Sequence, residues 1–267
     1  MILANIERFS GFADVYDRYR PQPPRVLIEI LTQLAEVERP RLVVDVGSGT
    51  GLSTMLWAND AREIIGIEPS ADMRAQADAR LAATNFKNIR FVPGSSIETK
   101  LPAARADIVT CSQSLHWMEP APTFAESARI LRAGGVFAAY DCDWPPTVNE
   151  PAERAYIDFI AGAEAIGHAR GWYRGVQRSD KEGHLARMQA SGKFRHVKEI
   201  VVHHAEPGDA DRLIGIALSQ GSVATLLKRG LSENEIGLPQ FRARVERAVG
   251  HHALSFYFGY RVRLGII

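Results

Sequence analysis

Val43-Val44-Asp45-Val46-Gly47-Ser48-Gly49-Thr50-Gly51 constrains this chain more than any other stretch, because it joins a buried-strand pattern to a turn of alternating glycines. β-Favouring residues with a single acid suit a parallel strand covered on both faces. The glycines let the chain turn where a Cβ would obstruct a ligand, and a helix from Leu52 to about Asn59 is expected to aim its N-terminal amides at that ligand. The stretch reads as a nucleotide-type cofactor site. An ordinary strand-to-helix turn is the bland alternative, and the rest of the chain must decide between them.

Strand and helix patterns alternate after the turn. Glu63–Glu68 is a second buried strand ending in an acid, and Pro69-Ser70 opens a helix with Ser70 as N-cap and Met73, Ala77 and Leu81 inward. Ile89–Val92, Ala106–Cys111 and Val136–Asp141 are the third, fourth and fifth strands. Between the last two, a helix through Phe124, Ala128 and Leu131 is expected to end at the glycine pair Gly134-Gly135. Five strands alternating with helices predict a doubly wound α/β fold with a mainly parallel sheet.

The flanks add to this core. Residues 1–40 read as an N-terminal arm and a cap helix, with prolines 21, 23 and 24 in the helix's first turn and Tyr16, Tyr19 and Arg20 ahead of it. On spacing alone, those three either cover the core or face the ligand. Residues 41–143 form the cofactor-binding core, and residues 144–194 a helical lid or substrate region inserted after the fifth strand. Residues 195–267 complete a seven-stranded sheet with Val197–His204 and the strictly alternating run from Leu254 to Leu264, around helices near 209–218, 222–229 and 239–249. The last strand pairs antiparallel with the sixth or lies beside the fifth.

A formal charge of +1 offers no global field for nucleic acid or membrane binding. Between Arg170 and Glu199, however, eight lysines and arginines stand against three acids, which is either a solvated face or a funnel for an anionic substrate. Cys111 and Cys142 sit in apolar runs and read as reduced core residues of a cytoplasmic protein. Met1–Phe9 lacks a basic region followed by a long apolar one, and no run reaches membrane-spanning length.

Glu68, at the tip of the second strand, is placed to accept both ribose hydroxyls of an adenosine through its two carboxylate oxygens. Ser95 and Ser96, beyond the third strand, can bond an adenine edge. His116 follows the fourth strand on the crevice side and is the best-placed candidate general base, although a ring hydrogen-bonded to backbone beside Trp117 is the favoured account of it. The other histidines have no metal-site spacing, so no metal is expected.

Asp45–Gly51, Glu68, Leu131-Arg132-Ala133-Gly134-Gly135 before the fifth strand and the terminal strand together resemble a class I S-adenosylmethionine-dependent methyltransferase. Tyr16–Pro21 and Gln113-Ser114-Leu115-His116-Trp117 resemble its small-molecule branch, which includes the trans-aconitate methyltransferases. The resemblance covers residues 12–143. It implies S-adenosylmethionine as cofactor and S-adenosylhomocysteine as product. It further implies that Gly47 and Gly49 pack on the methionine and ribose, Glu68 holds the ribose, and Ser95 and Ser96 lie near adenine. Gln113 would then lie near the sulfonium, and Tyr19 and Arg20 would close over the amino-acid moiety. Asp45, Ser48, Pro69 and Met73 complete the implied cofactor set. Two departures stand out: Ala133 where the family favours proline, and unusual spacing from Ser95 to Asp107, which bears on the adenine contacts.

These readings predict methyl transfer to a small-molecule acceptor, with an anion favoured by the basic segment. A nicotinamide-dependent oxidoreductase is disfavoured because Leu52 stands where the dinucleotide fingerprint needs glycine. A noncatalytic S-adenosylmethionine-binding protein stays open. A nucleic-acid methyltransferase is not expected, since Ser112–Leu115 lacks the Asn/Asp-Pro-Pro-aromatic run associated with flipped bases.

Overall fold

A computed structural model describes residues 18–175, 178–250 and 252–267; Tyr16 and most of the expected N-terminal arm lie outside the described residues. The first parallel strand, β1 (Leu42–Val46), is buried along its whole length. Val43 enters one apolar core while Val44 and Val46 enter the other, on the opposite face of the sheet. This is why valine follows valine there without a polar alternation. β1 is flanked by β2 (Glu63–Ile67) and β4 (Ala106–Ser112), with β3 (Ile89–Val92) beyond β2 and β5 (Leu131–Cys142) beyond β4, all parallel.

The sheet has seven strands in the order β3-β2-β1-β4-β5-β7-β6, completed by β6 (His196–Gly208) and β7 (Leu254–Ile266). β7 is antiparallel to both neighbours, pairing Val136 with Ile266 on one side and His196 with Ile266 on the other. The two placements open in the sequence are therefore both realised. Phe256, Phe258, Tyr260, Val262 and Leu264 are buried, as the alternation predicts.

Helices cover both faces: α1 (Val26–Leu34), α2 (Ala71–Ala82), α3 (Pro120–Ile130), α4 (Glu150–Ala169), α5 (His184–Ala190), α6 (Ala210–Leu218), α7 (Gly221–Lys228) and α8 (Leu238–Val249). The Ser70 hydroxyl caps α2 by accepting from the Met73 amide at 3.4 Å. α4 does not stand alone as a lid. Phe159 on α4 stacks on Phe241 of α8 at 4.4 Å between centroids, and Arg244 reaches Asp158 at 2.8 Å. The segments after β5 and after β6 thus form one helical layer.

Three expectations are corrected. The segment after the glycine turn is a short 3₁₀ turn, Thr54–Trp57, not a helix from Leu52 to Asn59, because the side chains of Ser53 and Thr54 are tied back into the sheet. Gly134 and Gly135 lie inside β5 and do not cap α3, which ends at Ile130; the Gly134 amide bonds the Ile267 carbonyl at the sheet's end. Prolines 21, 23 and 24 precede α1 and leave the first turn to Arg25 and Val26. No helix among the described residues is long and apolar enough to cross a membrane.

Candidate functional site

The carboxyl ends of β1, β2 and β4 converge on a narrow cavity. Asp45 lies beneath it, fully buried, accepting from Thr54 Oγ1 at 2.7 Å and from Thr110 Oγ1 at 2.9 Å. Burial pushes its carboxyl up to about 6 against the opposing effect of these two hydrogen bonds. Asp45 therefore supports the floor under the glycine turn and does not line the cavity.

The turn glycines do different jobs. Gly49 has φ +55° and open space where a Cβ would stand, so it presents bare backbone to the cavity. A Cβ on Gly51 would instead strike the Phe91 ring, so that glycine serves packing inside the protein. Glu68 closes the turn from β2: one carboxylate oxygen accepts from the Gly49 amide at 3.0 Å and the other from the Ser70 amide at 2.9 Å. Its pKa is raised, with burial outweighing these hydrogen bonds and the nearby Arg74 charge.

At the end of β4 the chain turns through Gln113, whose φ of +53° is strained for a residue with a side chain. Gln113 Oε1 accepts from Lys181 Nζ at 3.3 Å. Ser114 Oγ donates to the Val46 carbonyl at 2.8 Å and so locks this turn to β1.

Of the residues singled out in the sequence, Arg20, Gly47, Ser48, Gly49, Glu68, Met73 and Gln113 line this cavity. The others lie elsewhere. Tyr19 packs so tightly on Gly215 of α6 that no Cβ would fit there. Pro69 links Glu68 to Ser70 without reaching the wall. Ser95 closes a turn with Glu98, and Ser96 is buried, accepting from Thr123 Oγ1 at 2.9 Å. The Ser96 hydroxyl is therefore occupied within the protein, and neither serine lines this cavity. Ser70, and Ser114 and Trp117 of the Gln113–Trp117 motif, join the lining, as do Ser53, Trp144 and Tyr260, for which the sequence carried no signal.

His116 lines a second cavity, of about 400 Å³, between the sheet and α4. Arg20, Gln113, Trp117 and Trp144 line both cavities and make up the wall between them. Arg20 is fixed by Ser219 Oγ at 2.9 Å and Gln220 Oε1 at 3.0 Å, with its guanidinium 4.7 Å from the Trp144 ring centre.

Beneath the second cavity, Asp141 of β5 receives Lys181 Nζ at 2.8 Å, His116 Nδ1 at 3.4 Å and Arg263 Nη1 at 3.4 Å. Burial alone would raise the Asp141 carboxyl, but these partners hold it well below the usual carboxylate range. His116 is pushed down to about 4, chiefly by burial, so it is neutral near pH 7. His184 joins His116 and Asp141 with ligand atoms within 4.8 Å, a grouping no sequence spacing announces. Lys181 and Arg263 already neutralise Asp141, which makes the cluster an ion-paired anchor.

A profile of the methyltransferase domain matches residues 44–139, from β1 through most of β5. The chain is 31% identical over 139 residues to the Saccharomyces cerevisiae protein named "Probable S-adenosylmethionine-dependent methyltransferase CRG1", covering 51% of this chain and 47% of that protein. The trans-aconitate 2-methyltransferase of Acidovorax sp. (strain JS42) is 29% identical over 143 residues, 52% of each chain. Residues 44–139 of this chain thus match a methyltransferase domain, and relatives named as S-adenosylmethionine-dependent methyltransferases share that region. The chain spans about half the length of the curated relatives it matches.

The fold likeness extends further than the sequence likeness. A methyltransferase structure from Anaeromyxobacter dehalogenans superposes with a TM-score of 0.67 at 20% identity, covering 93% of this chain and 98% of that one. YcgJ of Bacillus subtilis gives 0.55 at 17% identity, with 91% and 98% covered. The methyltransferase domain takes S-adenosylmethionine as cofactor, and the first cavity suits it. Gly49 offers a surface that any Cβ would fill, Ser48 Oγ is buried with no hydrogen-bond partner among the described residues, and the Glu68 carboxylate borders the same space.

Proposed function

We propose that the protein transfers the methyl group of S-adenosylmethionine to a small-molecule acceptor, with an anion favoured. The wall shared by the two cavities carries this reading, because it sets a cofactor space and an acceptor space on either side of Gln113. The cofactor supplies a methyl group activated by a sulfonium for in-line displacement. Gly47, Ser48, Gly49, Glu68 and Met73 hold the cofactor, and Gln113 and Arg20 border the path between the two spaces. About 400 Å³ lies within the range of small-molecule sites, roughly 300–1,000 Å³.

Lys181 and Arg178 favour an anionic acceptor in the second space. A neutral imidazole with a pKa of about 4 is a weak base at neutral pH, so His116 serves better as a positioning group than as the proton acceptor. A nucleophile that brings its own negative charge needs no base. The free, buried Cys111 and Cys142 are consistent with a reducing, cytoplasmic setting.

The test is isothermal titration of the folded protein with S-adenosylhomocysteine, beside NADH in the same buffer. Saturable binding of S-adenosylhomocysteine alone is expected. Binding of NADH alone, or of neither, would overturn the reading.

A further inference from the structure

The second cavity has two unlike kinds of lining. Lys181 and Arg178 stand beside Gln113 and Trp117. The Arg178 guanidinium stands 5.6 Å from the Trp117 ring centre, and Lys181 is bound to Asp141, so both cations are held near the shared wall. From α4 come Tyr156, Ile157 and Ile160. Ile157 lines this cavity and is 54% exposed. The acid on that stretch of the lining is Glu164, which repels any further negative charge on a ligand.

We infer that the acceptor is an amphipathic acid with one anionic end and a flat apolar body. The anionic end faces Lys181 and Arg178 beside the shared wall, and the body lies along the α4 face of Ile157 and Ile160. This rests on the methyl-transfer reading and narrows it: a small polyacid would leave Ile157 and Ile160 against water and set a second carboxylate toward Glu164. Covering exposed apolar side chains contributes affinity in proportion to the area removed from water. The cations then fix which end of the molecule meets the shared wall.

Two probes with the protein saturated in S-adenosylhomocysteine test this. The first is 2-naphthoate, a flat apolar monoanion, and the second is tricarballylate, a polar triacid. Titration calorimetry is expected to show naphthoate binding at least about tenfold more tightly, the equivalent of burying roughly 50 Å² more apolar surface. Ile157→Glu alters an exposed position and spares the fold. It is expected to weaken naphthoate about tenfold or more while S-adenosylhomocysteine affinity holds, since Ile157 does not line the first cavity. Equal or tighter tricarballylate binding, or naphthoate affinity indifferent to Ile157→Glu, overturns the inference alone. Failure of S-adenosylhomocysteine to bind the folded wild type overturns the methyl-transfer reading beneath it.

Discussion

Lys181 Nζ lies 2.8 Å from Asp141 Oδ1, and this contact fastens the segment between α4 and α5 to the buried end of β5. Asp141 is 3% exposed, so its charge depends on the cations and imidazole around it. The Ser179 amide adds a second fastening by donating to the His116 carbonyl at 2.8 Å. A surface segment is thereby tied to the wall between the two cavities.

Lys181→Met is expected to lower unfolding free energy at pH 7 by about 1–3 kcal/mol, less than for a fully severed buried pair because Arg263 and His116 remain on Asp141. The Asp141 carboxyl is depressed in the folded state, so its contribution is present above the unfolded value near 4 and is lost as pH falls through the folded one. The deficit of the variant should therefore persist down to pH 3.5, where the folded carboxyl is still ionised. Urea titrations at pH 7 and pH 3.5 check this, and a deficit already lost at pH 3.5 would count against the depressed carboxyl.

Asp45→Asn tests the opposite sign. Asp45 is raised to about 6, so its favourable contribution is full below the unfolded value and is lost as pH rises through 6. Between pH 4 and pH 7 the wild type is expected to lose about 3 kcal/mol relative to the variant, from a shift of roughly two units. Parallel stability curves for the two proteins would contradict the assignment.

Glu68→Ala is expected to weaken S-adenosylhomocysteine binding by about 1–3 kcal/mol, or roughly 5- to 150-fold. Part of that loss reflects the turn itself, since Glu68 also accepts the Gly49 and Ser70 amides. Calorimetry on a variant shown to be folded reads it out. Affinity equal to wild type would remove Glu68 from the cofactor site.

His116→Ala is expected to leave S-adenosylhomocysteine affinity near wild type, because His116 lines the second cavity and not the first. With its imidazole near 4, turnover by the wild type should be level from about pH 5.5 to 8. A rise through pH 6 to 7 that disappears in the variant would restore His116 as a general base. Equal loss of cofactor affinity and turnover would instead make the ring structural.

The sequence is most legible where one residue type has one physical use. Consecutive valines in β1 need cover on both faces, and the period of two in β7 separates buried Phe256, Phe258 and Tyr260 from exposed Tyr257. The position of Glu68 at a strand tip beside the glycine turn was legible, and there it holds the turn by accepting the Gly49 and Ser70 amides. Ser95 and Ser96 are less legible, because a serine in a loop bonds equally well to the protein, as Ser96 does to Thr123. The Asp141, Lys181 and His184 grouping was hidden because β5 and the segment before α5 bring it together from separate parts of the chain. Trp144 was hidden too, since nothing local shows that it packs on Arg20 at the edge of the cofactor space.

The position of β7 has a consequence for synthesis on the ribosome. The strand made last of the seven sits between β5 and β6, not at a margin. Until residues 254–266 emerge, the nascent chain holds β5 and β6 with bare hydrogen-bonding edges and no partner in its own sequence. Their emergence then closes both edges in one event, an insertion that depends on contacts far apart along the chain.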